Sequence, residues 1–257
     1  MFLKQLGRGA ARYDWFGAVV EVGIVVVGVF LGIQASNWNQ GRLNRAEGRD
    51  YRDQLVRDLD SNQRDVAFRV HYDGQILRHA ESALAALDRP ASDNPGAFII
   101  DAYEASNHIP QPVRRSTYDE VQASGKAGFL GNQRLRDQIA NYYVGMATMQ
   151  RLFDNVPTYR TMIRSALPFA VQQQVLKDCP EVLVTDQFGS VTPKLADKCV
   201  SSLDPQEALR IAQDVRNVPN LRWELNAVMS DLNQKILNAQ KLSLEATRLK
   251  TEIEAAN

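Results

Sequence analysis

Between Trp15 and Ile33 the chain reads WFGAVVEVGIVVVGVFLGI, 19 residues interrupted by one charge, Glu21. No other feature limits the fold as strongly. At about 1.5 Å per helical residue the run is roughly 28 Å long, about the thickness of a bilayer's hydrocarbon core. Trp15 and Trp38 lie near its two ends, where amphipathic rings act as interface anchors. The bland alternative is a buried helix of a soluble protein. A cleaved signal peptide would need small residues one and three positions before the cut. Ala35 suits the first position and Ile33 fits the second poorly. The expectation is an uncleaved signal anchor: residues 1–14 as a cytoplasmic tail, 15–36 as a transmembrane helix and 37–257 as a periplasmic helical bundle.

The flanks set the orientation. Lys4, Arg8 and Arg12 precede the run against a single acid, Asp14. Beyond it, Arg42, Arg45, Arg49, Arg52 and Arg57 alternate with Glu47, Asp50, Asp53, Asp58 and Asp60. By Lys/Arg number alone the second flank competes, because acids count for little in the positive-inside rule. A large domain, however, translocates largely regardless of its charge. The bulk of the chain is therefore expected outside a bacterial inner membrane, with the N-terminus in the cytoplasm.

Composition narrows the function classes. With 30 Lys+Arg against 30 Asp+Glu the formal charge is 0, which gives no electrostatic footprint for nucleic acid. Hydrophobic residues make up 44% of the chain, enough to exclude a disordered protein. Cys179 and Cys199 are the two cysteines, at the ends of a Pro/Gly-punctuated insertion. As a disulfide they would close a loop, worth roughly 3 kcal/mol, and would persist in an oxidising compartment such as the periplasm. As unrelated buried thiols they would carry no such information.

The remainder reads as all-α. No proline occurs before Pro90, so the membrane helix can continue outward. Leu55, Leu59, Val66, Val70, Leu77, Ala80, Leu84 and Leu87 recur at helical spacing, which predicts one long amphipathic helix ending near Leu87. Gly41 and Gly48 could bend it. A short helix is predicted around 97–105. Thr117 with Glu120 has the pattern of a capping box, opening a helix that stops near Gly125. Asn132 is the next candidate N-cap. Leu135, Ile139, Tyr142, Met146, Met149, Phe153 and Val156 then follow alternating steps of four and three, the spacing of a helix-packing seam. Their Met and aromatic content invites a cofactor reading, but core packing explains it more simply. Asp204, Pro205 and Glu207 start a helix to about Arg216. The last helix carries Leu225, Leu232, Ala239, Ala246 and Ile253 at seven-residue intervals, with Val228, Leu242 and Leu249 in the companion position and Lys235 as the exception. This coiled-coil-like stripe can pack antiparallel on the first long helix or on a second copy of the chain.

The span and exit, EVGIVVVGVFLGIQASNWNQ from Glu21 to Gln40, resemble a widespread bacterial family of uncharacterised single-pass membrane proteins with a domain of unknown function. The polar helix that follows, and STYDEVQASGKAGFLGNQRLRDQIANYY from Ser116 to Tyr143, fit the same family. The resemblance covers about half the chain. It implies a membrane anchor and a helical extracytoplasmic domain, and brings no reaction, cofactor or catalytic residue. The region from Cys179 to Cys199 is not a feature of that family.

Glu21 is the most informative single residue. A charge central in a span costs about 2.5 to 3.5 kcal/mol on insertion scales, so such a group usually faces protein or water. Gly17, Glu21, Ile24, Gly28 and Ala35 fall on one helical face, and Gly28 with Gly32 forms a GxxxG pair that lets another helix approach. This face is expected to bind a partner helix. The alternative is a Glu21 near enough to the cytoplasmic interface to be hydrated, with incidental glycines. A proton relay through one span would need a larger complex.

Chemistry is poorly supported. His71 and His79 are too far apart for the paired spacing that ligates zinc, and His108 stands alone. No nucleophile elbow or phosphate loop occurs, and Asp119 with Glu120 diverge on a helix. No catalytic residue, metal or cofactor is assigned. The expected partners are the lipid bilayer and either another inner-membrane protein or a copy of this chain, with no nucleic acid. The favoured reading is a non-enzymatic accessory, scaffold or assembly subunit of an inner-membrane complex. An extracytoplasmic ligand-sensing or binding domain is the runner-up, although no second span follows to carry a signal. An envelope enzyme is third.

Overall fold

The computed structural model describes residues 15–256 apart from 111, 186, 188 and 190, and for residues 15–18 the main chain alone. The architecture is all-α, with one small hairpin. The chain divides into two compact units, Met1–Tyr51 and Arg52–Asn257, and the division falls within the first helix.

That helix, α1, runs from Trp15 to Ala86, close to the predicted end at Leu87. Gly41 and Gly48 do not interrupt it. Within the second unit, α1 is joined by α2 (Pro95–Glu104), α3 (Ser116–Ala123), a 3-10 turn (Ala127–Leu130), α4 (Gln133–Asp154), α5 (Thr158–Ala166), α6 (Phe169–Asp178), α7 (Pro205–Arg216) and α8 (Leu221–Ala255). Strands β1 (Val182–Thr185) and β2 (Val191–Lys194) pair antiparallel, Val182 opposite Lys194 and Thr185 opposite Val191.

Alpha8 packs antiparallel on α1 within the chain. Lys250 Nζ donates to Asp60 Oδ1 at 2.8 Å, Gln63 Nε2 to Thr247 Oγ1 at 2.7 Å, and Arg222 to Asp88 Oδ1 at 2.6 Å. As the partner on α1 and the turn that follows it rises from 60 through 63 to 88, the α8 partner falls by the same steps, so one register holds along the whole contact. Every position of the expected α8 stripe from Leu225 to Ile253 is buried, Lys235 included. Alpha4 lies against α8 as well: Gln138 donates to Glu252, and Leu242 sits 2.9 Å from where a Cβ on Gly145 would be. In the other half of the unit α2 packs on α7, with α5 and α6 beside it. Gly96 lets the segment before α7 approach α2, since a Cβ there would meet Ser201 at 2.5 Å. Arg216 caps the end of α1 by donating to the Ala86 and Arg89 carbonyls.

Local signals held unevenly. Asn132 accepts from Leu135 N–H and Asp204 from Gln206 and Glu207 N–H, as their N-cap roles require. The capping box at Thr117 does not form. Alpha3 starts one residue earlier, and the Thr117 N–H donates instead to Asp58 on α1, a tertiary acceptor that displaces the local one. Gly125 ends that stretch with φ +71°, a conformation glycine adopts at no steric cost. The α4 seam is buried through Phe153, but Val156 is exposed because the helix ends at Asp154 and the chain turns extended at Asn155.

Candidate functional site: an uncovered helix face

Two parts of the molecule hold side chains in arrangements that bulk packing does not account for. The first is the N-terminal unit. Among the described residues the apolar segment of α1 is exposed along its length, and it is long and apolar enough to cross a membrane. Ile24, Val25, Val26, Phe30, Leu31 and Ile33 are all more than half exposed, a cost in water that only an apolar environment or partner removes. Glu21, Gly28, Gly32 and Ala35 are exposed along the same helix. A Cβ on Gly23, Gly28 or Gly32 would meet nothing within 4 Å, so each glycine leaves open space toward whatever approaches. Trp15 and Gly17 lie at the start of α1, and their side-chain surroundings are outside the described residues. Residues 1–14 are also outside them. Trp38 is exposed, with the Arg42 guanidinium 6.0 Å from its ring centroid.

The second is a polar layer inside the bundle. Along α1 the buried Leu55, Leu59, Asn62, Val66, Arg69, Asp73, Ile76, Ala80 and Ala83 form an unbroken four-three seam in which three members are polar, with the buried Tyr72 and Gln75 beside it. Asn62 clamps the main chain of Arg114, donating to its carbonyl at 2.8 Å and accepting from its N–H at 2.9 Å. Gln75 does the same to Leu195. Arg69 donates to the Ile109 carbonyl and pairs with Asp73 at 3.1 Å, both fully buried, and its guanidinium lies 4.5 Å over Phe153. Lys235 approaches the same ring at 6.0 Å and pairs with Asp231 at 2.7 Å. Burial pushes the Asp73 carboxyl up, against the pull of Arg69 and Lys235. Its Oδ1 has no hydrogen-bond partner.

Beside this layer, Glu104 is 1% exposed, and burial raises its carboxyl to about 7 against the opposing influence of His79, a hydrogen bond from Asn107 and Arg164. His108 moves the other way, to about 4, through burial and the positive charges of Arg69, Lys235 and Arg160. His79 bonds Asp101 at 2.8 Å, while His71 is exposed. Of these groups Glu104 is sealed in packing, and His79, Asp101 and His108 are half-buried around it. Among the described residues, no three His, Cys, Asp or Glu side chains converge on a metal position.

Cys179 and Cys199 form a disulfide, as the pairing alternative expected. Sequence reasoning missed what it braces. The insertion holds the β1–β2 hairpin, whose Val182, Leu183, Val184 and Val191 are exposed. Tyr72 anchors one foot of this hairpin, donating to Glu181 at 2.6 Å, and Gln75 anchors the other at Leu195.

Concavities lie mainly along the α4–α8 groove. One of them is about 410 Å³, open to solvent and lined by Arg134, Gln138, Glu245, Arg248 and Glu252. Across α8, Trp223, Leu237 and Leu244 are exposed.

Comparison of the chain with models of known protein families, with curated proteins and with solved structures finds no match.

Proposed function

We propose that this chain is a single-pass inner-membrane protein with residues 15–36 in the bilayer, the N-terminus in the cytoplasm and the helical bundle in the periplasm. There it serves as a non-enzymatic accessory, scaffold or assembly subunit, gripping a partner through Gly17, Glu21, Ile24, Gly28, Gly32 and Ala35. One observation carries the reading. An apolar helical segment of membrane length is exposed among the described residues, and it bears a carboxyl and a run of glycines with open space before them. Lipid alone satisfies the valines, whereas Glu21 gains from a donor on a neighbouring helix. The disulfide and the internal pairing of α8 on α1 support a bundle built for an oxidising compartment and complete without a second copy of α8.

The test is purification of the full-length protein from native membranes in mild detergent, beside Glu21→Leu and Gly28→Leu. Loss of one stoichiometric membrane protein from both variants is expected. An unchanged set of copurifying proteins would contradict the contact. A ligand-binding role is the second reading, favoured by the polar α4–α8 groove, whose arginines and glutamates suit a small zwitterionic or charged solute.

A further inference from the structure

Glu21, Gly28, Ala35, Arg42 and Arg49 stand seven residues apart in one column of the same continuous helix. Ile24, Leu31, Trp38 and Arg45 fill the companion column. A seven-residue column drifts about 20° per heptad on a straight helix, the shallow winding that keeps one neighbouring helix in contact along its length. The uncovered face is therefore longer than the apolar run. It begins with an acid, passes through small residues and ends in arginines, and Arg42, Arg45 and Arg49 are all exposed. At about 1.5 Å per residue, Glu21 lies roughly 9 Å inside the start of the 15–36 span and Arg42 about as far beyond its end.

Resting on the contact reading above, we infer that the occupant of this face is a different protein, not a second copy of the chain. It is a membrane helix with a cation or hydroxyl donor at the level of Glu21 and carboxylates at the level of Arg42, Arg45 and Arg49. The argument is charge complementarity. Two copies anchored in one membrane lie parallel, and in a parallel pair each column residue meets its own counterpart. Glu21 would then face Glu21, Arg42 face Arg42 and Arg49 face Arg49, with the acids in low dielectric where like charge is costly. Small residues at 28 and 35 admit a close neighbour, and the charges at the two ends decide which neighbour is accepted.

The probe is a charge-reversed second copy of the full chain carrying Glu21→Lys, Arg42→Glu, Arg45→Glu and Arg49→Glu. These changes move positive charge toward the N-terminal side and so keep the same insertion. An intact Cys179–Cys199 bond on a non-reducing gel verifies that the bundle has folded. With Gly28→Cys in both chains, differently sized tags and mild oxidation in membranes, the mixed dimer is expected to exceed the wild-type homodimer at least about tenfold. A wild-type homodimer as abundant as the mixed one overturns the inference and leaves the contact face standing as a self-association surface. No cross-link of any kind, together with no membrane protein copurifying with the wild-type chain, overturns both, leaving the arginines to lipid phosphates and the glycines without a neighbour.

Discussion

Gln75 holds Leu195 by both ends of its amide, donating from Nε2 to the carbonyl at 2.9 Å and accepting at Oε1 from the N–H at 3.1 Å. Leu195 follows β2 directly, so one buried side chain on α1 fixes the foot of a hairpin 120 residues away. Replacing Gln75 with Leu keeps the volume and strands two buried main-chain groups, at about 1–3 kcal/mol for each unsatisfied group. Chemical denaturation of the full chain in detergent should show that loss. Hydrogen exchange should rise at 191–195 before it rises in α8.

Reduction of Cys179–Cys199 removes a different constraint on the same element. The 20-residue separation gives roughly 3 kcal/mol on the chain-entropy estimate. The double variant Cys179→Ser, Cys199→Ser should still fold, because Tyr72 and Gln75 continue to hold both feet, but with a denaturation midpoint lowered by that amount. A variant as stable as the wild type would mean that the hairpin's hydrogen bonds suffice alone.

Glu104 makes stability depend on pH. Burial pushes its carboxyl up from the ordinary 4.5 to about 7 in the fold, so the folded state binds the extra proton between those values and stability falls as pH rises through that window. The full cost, about 3 kcal/mol, is present above pH 7 and absent below pH 4.5. Glu104→Gln should remove it, giving a variant more stable than the wild type at pH 8 and equal to it at pH 4.5. His108 acts oppositely: its folded value near 4 means that acidification below about 6.5 destabilises the wild type through this ring. Denaturation curves of Glu104→Gln and His108→Gln across pH 4.5–8 should therefore tilt in opposite directions.

The Arg69–Asp73 pair is buried against Phe153. Arg69→Met leaves Asp73 uncompensated and should cost about 3–5 kcal/mol, whereas Arg69→Met with Asp73→Leu should recover much of that loss. A double-mutant cycle on denaturation midpoints reads the coupling.

What was legible in the sequence follows from what periodicity measures. The α8 stripe and the α4 seam through Phe153 are almost wholly apolar, so counting apolar residues finds them. The α1 seam is not. Asn62, Arg69 and Asp73 occupy core positions, and an apolar count skips them and drifts to Val70, Leu77 and Leu84, which are half-buried at the edge. Asn62 and Arg69 are inside because each holds the main chain of a loop distant in sequence, and Asp73 because it pairs with the buried Arg69, relations an apolar count does not carry. The short helices α5 and α6 and the hairpin were missed for the related reason that their apolar runs are too brief to show a period. The proposed face from Glu21 to Ala35 was drawn from the sequence because a charge and several glycines in an apolar run conflict with a merely lipid-facing helix. Its continuation into Arg42 and Arg49 required a helix that does not stop at the membrane exit.

The central claim is that one side of the apolar helix meets protein and the other meets lipid. Ile24 and Val26 lie on opposite sides, and both are exposed. A photoreactive residue placed at each position in turn, in the full chain in native membranes, reads the difference directly. The account predicts one protein adduct of defined mass from position 24 and lipid adducts alone from position 26. Lipid adducts alone from both positions would contradict it.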